Sequence, residues 1–76
     1  MITLDEAIRI AKGVRSDLDS VTEFENGYVF SSKSDEGYLG GMDHSPVVVL
    51  KKDGRVADIA SFMFLDPGKE IGTKAI

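Results

Sequence analysis

The chain of 76 residues contains no cysteine, no tryptophan and one histidine. The absence of cysteine excludes disulfides, thiolate metal sites and cysteine nucleophiles, and one histidine excludes a histidine-rich metal site within one chain. We therefore expect no metal and no cofactor. No apolar run exceeds four residues, whereas a membrane-spanning helix needs about 20. The first residues lack the basic and apolar regions of a signal peptide, so we expect a cytoplasmic protein without a membrane partner.

The length predicts a single domain over residues 1–76, because so short a chain supports one hydrophobic core. Its hydrophobic content of 42% and charged content of 29% argue against intrinsic disorder. A core of this size is marginal, and association with another chain is one common reinforcement.

Negative charge is concentrated in the middle third of the chain. Segment 17–43 contains seven carboxylates and one lysine, so its net charge is −6, while the whole chain carries −4. Such a segment repels phosphates, and we expect no nucleic-acid partner. It attracts a basic protein surface and accelerates that encounter. The alternative interpretation is that the acidic residues only form a solvated face.

The N-terminal residues predict an amphipathic helix from Leu4 to between Val14 and Asp17. Thr3 followed by Glu6 fits a capping box, in which the two side chains satisfy backbone N–H groups of the first turn. Apolar residues then recur at three- and four-residue spacing along one face. They include Leu4, Ala7, Ile8 and Ala11.

A β-hairpin follows, with its turn signalled by Asn26-Gly27. Its strands are predicted over 21–25 and 28–32. A two-residue turn would pair Phe24 with Val29 and place Tyr28 and Phe30 on the opposite face from Phe24. A three-residue loop ending at Gly27 would instead pair Phe24 with Tyr28. We favour the second register because it gathers Phe24, Tyr28 and Phe30 on one face.

A second hairpin begins at Pro46, which can open a strand. The apolar run Val47–Leu50 indicates a strand buried on both faces. Residues 52–55 form the predicted turn, and 56–60 the returning strand, with Asp58 towards solvent.

The C-terminal part of the sequence leaves two alternatives. The apolar run 62–65 either continues the last strand or docks as irregular chain, and we expect it to belong to the core. Asp66-Pro67-Gly68 signals a turn, which could also start a short helix. The predicted fold class is therefore α+β, with an N-terminal helix packed on an antiparallel sheet of about four strands in two hairpins.

No arrangement of residues predicts catalysis. Asp43-His44-Ser45 contains the residue types of a hydrolase triad, but three adjacent side chains diverge instead of converging on one substrate. Adjacent carboxylates at Asp35-Glu36 are expected to be solvated and not to hold a metal. The glycines of segment 33–45 match no phosphate-binding motif. We therefore expect a protein that is not an enzyme.

Segment 33–45 is long for a connection in a small domain, which is typical of a functional loop. Apolar residues within an acidic, glycine-containing loop resemble a protein-binding hot spot with a charged rim. The predicted anchors are Tyr38, Leu39 and Met42. The predicted rim consists of Glu23, Glu25, Asp35, Glu36 and Asp43. The alternative is that the apolar residues fold back over the sheet edge.

The order of these features resembles the immunity protein 35 (YrhB-like) family of small bacterial proteins. The matching runs are Leu4-Asp5-Glu6-Ala7-Ile8-Arg9-Ile10-Ala11, Gly27-Tyr28-Val29-Phe30, Gly40-Gly41, Ser45-Pro46-Val47-Val48-Val49 and Lys52-Asp53-Gly54-Arg55-Val56. The resemblance covers the chain to about Phe64. It implies neutralisation of a toxin, so the expected partner is a protein such as a basic toxin domain. Some members are regarded as stress or chaperone-like proteins, and that role, or self-association as a homodimer, is the alternative.

Overall fold

The computed structural model describes residues 1–32 and 46–76, and within them the chain has an α+β fold. The loop predicted over 33–45 lies outside the described residues. Two helices and five strands occur in the described part. In chain order they are α1 (Leu4–Val14), β1 (Ser20–Phe24), β2 (Gly27–Ser31), β3 (Val47–Leu50), β4 (Val56–Ala57), α2 (Ile59–Leu65) and β5 (Glu70–Ala75).

Helix α1 begins and ends where the sequence predicts. The Thr3 hydroxyl accepts a hydrogen bond from the backbone N–H of Glu6 at 3.2 Å, and this caps the N-terminus of the helix. Ala7 and Ala11 are its fully buried side chains. Because both are small, the helix backbone lies close to the sheet it covers.

The sheet is antiparallel throughout, with the strand order β4-β3-β2-β1-β5. It contains one strand more than the four predicted, because the C-terminal residues form β5 and pair with β1. This pairing runs from Ser20 opposite Ala75 to Phe24 opposite Glu70 and contains a register shift between Glu23 and Phe24. The last strand of the chain therefore pairs with the first strand, although the two are far apart in sequence, and this pairing completes the sheet.

The predicted register of the first hairpin is wrong. Tyr28 lies opposite Glu23, and Phe30 lies opposite Val21, so the turn consists of residues 25 and 26. In this register Phe24 is on the opposite face of the sheet from Tyr28 and Phe30, and the three aromatic residues do not form one group. Each strand also begins one residue earlier than predicted.

Alternation along the strands gives the sheet two apolar faces, each covered by one helix. The face under α1, here called the α1 face, has a core of Ala7, Ala11, Leu18, Val21, Tyr28, Phe30, Val47 and Val49. The opposite face, here called the α2 face, has a smaller core of Phe24, Val48 and Phe62. Strand β3 contributes to both, which confirms that it is buried on both sides.

The returning strand of the second hairpin is shorter than predicted. Strand β4 contains only Val56 and Ala57, and Asp58 then caps helix α2 instead of pointing outwards from a strand. The expectation that residues 62–65 belong to the core is correct for Phe62 alone. The apolar run forms about one helical turn, so a single side chain reaches the sheet while its neighbours face outwards.

Candidate functional site

The structure describes two of the eight predicted partner-binding residues. These are Glu23 and Glu25, on strand β1 and in the β1–β2 turn. The other six lie outside the described residues, namely Asp35, Glu36, Tyr38, Leu39, Met42 and Asp43.

Glu23 is held by an ion pair within the fold. Its carboxylate accepts a hydrogen bond from the Lys51 ammonium at 2.7 Å, and the same ammonium lies 5.0 Å from the centre of the Tyr28 ring. The Lys51 side chain is only 11% exposed, so solvent screens this pair less than it would a surface pair. Glu23 therefore joins β1 to the end of β3 across β2.

Glu25 connects the first hairpin to the chain that follows α2. Its carboxylate accepts the backbone N–H of Lys69 at 2.7 Å, and the N–H of Asn26 donates to the carbonyl of Pro67 at 3.1 Å. The Asn26 side-chain amide donates to the carbonyl of Asp66 at 3.0 Å. These bonds fix connection 66–69 against the β1–β2 turn. Glu25 has no cationic side chain as a partner within the described residues.

Helix α2 is positioned by its cap and by one aromatic residue. The Asp58 carboxylate accepts hydrogen bonds from the backbone N–H of Ser61 at 2.7 Å and from its hydroxyl at 2.9 Å. The backbone N–H of Ser61 is the main cause that lowers the pKa of Asp58 below its ordinary value of 3.8. The Phe62 ring packs edge-on against Phe24, with 5.7 Å between the ring centres.

A signal for α2 is present in the sequence. Asp58 stands directly before an apolar run, which is a typical N-cap position. The hairpin turn at 52–55 favours a strand over 56–60, and this signal competes with the helix cap at Asp58. The helix ends at Leu65, because the next residue, Asp66, has a φ of 95°, which is incompatible with a continuing helix.

The outer side of α2 is an exposed apolar surface, here called the α2 patch and defined as Met63, Phe64 and Leu65. These three residues are 45%, 89% and 77% exposed. Together they present on the order of 400 Å² of apolar area, which is within the range of the largest patch on an ordinary monomer. Patches of this size are often functional, whereas single exposed apolar residues are common and need no explanation.

An open groove adjoins the α2 patch, with a volume of about 750 Å³. Leu65 belongs to both. The apolar residues that line the groove are Met1, Leu50, Ala57, Phe62 and Leu65, and its polar lining residues are Glu25, Asn26, Lys51, Lys52, Ser61 and Asp66. An apolar lining with a few polar groups is the usual composition of a binding pocket.

The carboxylates beside the groove are free to meet a cation. Asp66 accepts the backbone N–H of Gly68 at 3.0 Å, and like Glu25 it pairs with no lysine or arginine in residues 1–32 and 46–76. The charge of Lys51 is offset by Glu23, and among the described residues the other charged side chains that line the groove are Glu25, Asp66 and Lys52. The groove therefore combines apolar walls with two carboxylates that have no cationic side chain as a partner in the described residues.

Two further features concern the described residues alone. None of their helices is long and apolar enough to cross a membrane. They contain no group of three histidine, cysteine or carboxylate residues that could hold a metal ion.

Comparisons with protein-family models, with curated proteins and with solved structures gave no match to this chain.

Proposed function

We propose that this chain is a non-enzymatic protein-binding domain that neutralises a cognate bacterial toxin, and that the α2 patch is its docking surface. The observation that carries the proposal is the exposure of Phe64 and Leu65 beside an open apolar groove. Large apolar side chains at the centre of an interface supply most of the binding energy, and burial of this pair would remove a costly exposed surface from water.

The negative charge of the chain supports a partner with a basic surface. The whole chain carries −4, and three carboxylates lie at the ends of α2 and beside the groove without a cationic partner in the described part of the chain. They are Glu25, Asp58 and Asp66. A positively charged surface would be attracted at long range and would pair with these groups once docked. A toxin domain with a basic surface, as the resemblance to the immunity family implies, has this chemistry.

The anchors predicted from the sequence compete with the α2 patch as the docking surface. Tyr38, Leu39 and Met42 with their acidic rim remain a prediction, and variants of the two surfaces separate the possibilities. If the acidic middle segment binds the partner, Tyr38→Ala raises the dissociation rate and variants of the α2 patch do not.

The test starts with capture of proteins from the source lysate on the immobilised chain, followed by purification of each captured protein as a recombinant product. Binding kinetics are then measured for the wild type and for the double variant Phe64→Ser/Leu65→Ser. We expect a one-to-one complex whose affinity falls by about 2 kcal/mol or more in the double variant, mostly through faster dissociation. Co-expression of the chain should also relieve the growth inhibition that the partner causes.

Val14→Ser is the matched control. Val14 is an exposed apolar residue at the end of α1, so its substitution removes exposed apolar surface away from the α2 patch and should leave the kinetics unchanged. Equal affinities for the wild type and the double variant would refute the docking surface. A chain that only self-associates in sedimentation, or suppresses aggregation of unrelated proteins, would support the homodimer or chaperone-like alternative instead.

A further inference from the structure

We infer that the groove beside α2 receives a linear segment of the partner that carries a large apolar side chain next to a lysine or arginine. This inference rests on the proposed function, and it specifies which side chains the partner places in the groove. It concerns the groove lined by Leu50, Ala57, Phe62 and Leu65, which is distinct from the outward-facing side chains of Met63 and Phe64.

The size and lining of the groove suit an apolar group. A volume of about 750 Å³ lies within the range of about 300–1,000 Å³ of pockets that bind compact ligands. The walls come from three elements that hydrogen bonds hold in place. The N–H of Lys51 donates to the carbonyl of Asn26 at 3.1 Å, and the Asn26 side chain holds Asp66 at the end of α2. The groove is therefore formed before any partner binds.

The charges at the margin select the residue that accompanies the apolar side chain. Glu25 and Asp66 each accept one hydrogen bond from a backbone N–H, at 2.7 Å and 3.0 Å, and each retains oxygen lone pairs for a further donor. An ammonium or guanidinium group would supply those donors as charge-assisted hydrogen bonds. An acidic segment would be repelled by both carboxylates.

A phage-displayed library of linear peptides tests the inference without knowledge of the natural partner. Selection on the immobilised chain, after depletion on the Ser61→Arg variant, should enrich peptides with a large apolar residue within about four positions of a lysine or arginine. The affinity of a selected synthetic peptide is then measured by fluorescence anisotropy. Ser61 is exposed on α2 and lines the groove, so an arginine there obstructs the groove and repels the basic residue of the peptide.

We expect Ser61→Arg to weaken the selected peptide at least tenfold. Ser16→Arg introduces the same side chain at another exposed position, in the connection after α1, and should have no effect. Ala57→Leu fills the groove without adding charge and should also weaken the peptide at least tenfold. This second variant, together with thermal unfolding of both, separates obstruction of the groove from loss of folding.

Asp66→Asn removes the charge but retains an acceptor for the N–H of Gly68 and tolerates the positive φ at this position. It should weaken the peptide severalfold and reduce the dependence of binding on salt. Failure to select any peptide, selection of acidic peptides, or equal binding to Ala57→Leu and the wild type would each overturn the inference. The inference would also be overturned if the wild-type chain is a dimer and the Ser61→Arg variant is a monomer.

The two proposals fail separately. If Phe64→Ser/Leu65→Ser weakens the protein partner and the groove variants do not, the docking surface stands and the groove inference is wrong.

Discussion

Gly27 leaves no room for a side chain where helix α2 packs on the sheet. A Cβ atom at this position would lie 2.9 Å from Cε1 of Phe62 and 3.1 Å from the backbone oxygen of Val49. The Phe62 ring is held by Phe24, and the Val49 oxygen belongs to a central strand. Glycine at the start of β2 therefore allows α2 to approach the sheet.

We predict that Gly27→Ala lowers the free energy of unfolding by about 1–3 kcal/mol, because the new methyl group overpacks the contact with Phe62. Denaturant unfolding followed by circular dichroism measures this change. Gly13→Ala is the control. Apart from the neighbouring backbone of α1, no atom of the described residues lies within 4 Å of a Cβ at Gly13. Because this position is helical, alanine should increase stability by about 0.5–1 kcal/mol. An unchanged unfolding midpoint for Gly27→Ala would show that the Phe62 ring can move away from the new methyl group without loss of stability.

At the scale of elements, α2 is a short helix with one side chain in the core. Phe62 is 3% exposed and Phe64 is 89% exposed, two positions further along the same helix. The chain thus presents a buried and an exposed phenylalanine in almost the same backbone context. The first serves folding, and the second is available to a partner.

We predict that Phe62→Ala lowers the free energy of unfolding by about 3 kcal/mol or more, since it removes the aromatic contact with Phe24 and leaves a cavity. Phe64→Ala should change it by no more than about 0.5 kcal/mol. Thermal and denaturant unfolding of the two variants provide the comparison. Comparable destabilisation by both substitutions would mean that Phe64 is part of the core in solution, and this would also remove the main support for the α2 patch.

Strand β5 is the other element that the fold leaves exposed. All six of its residues are exposed, and it forms one edge of the sheet. The register shift opposite Glu23 and Phe24 interrupts the ladder, and Lys74 places a charge along the strand. Irregular pairing and lysine are common features of sheet edges that do not pair with another chain. These features favour the α2 patch over β5 as an interaction surface.

At the scale of the whole molecule, the pairing of β1 with β5 closes the fold. Thr22 and Thr73 are opposite each other in this pairing, and their hydroxyl oxygens are 3.0 Å apart. The N–H of Ile76 donates to the carbonyl of Asp19 at 3.0 Å, and the Ile76 side chain packs against the core under α1. The end of the described chain is therefore bound to the strand that follows the first helix.

We predict that Thr22→Cys/Thr73→Cys forms a disulfide on oxidation, because directly opposite residues of antiparallel strands have suitably spaced Cβ atoms. The wild-type chain has no cysteine, so no other pairing within the chain competes. Closure of a loop of this length should raise the free energy of unfolding by up to about 4 kcal/mol. Mass spectrometry reports the bond, and unfolding with and without reductant reports its effect.

Thr22→Cys/Ala75→Cys serves as the control, because Ala75 lies opposite Ser20 and its Cβ is displaced along the strand from Thr22. Efficient closure of this displaced pair, or failure of the first pair, would show that β5 has another register.

The candidate site was less predictable from the sequence than the fold. The acidic segment around Glu23 predicts that this residue lies in a binding rim. The structure pairs it with Lys51, which is distant in sequence and cannot be identified from local composition. Phe62, Met63, Phe64 and Leu65 form one apolar run, and only the orientation of α2 separates the buried first residue from the exposed others.

Local signals in the amino-acid sequence are sufficient to specify several elements of the fold. The cap at Thr3 and the apolar stripe specify α1, Asn26-Gly27 locates a hairpin, and Val47–Leu50 specifies a buried strand. These signals act within a few residues through capping, side-chain periodicity and turn conformation.

Tertiary contacts set the hairpin register, the helical form of α2 and the pairing of β5. Each of these depends on contacts between distant segments: Phe24 with Phe62, Gly27 with the same ring, and Thr22 with Thr73. The free energy of such contacts exceeds local preference once the core forms. Because the partners are not neighbours in the chain, residue order alone does not reveal them.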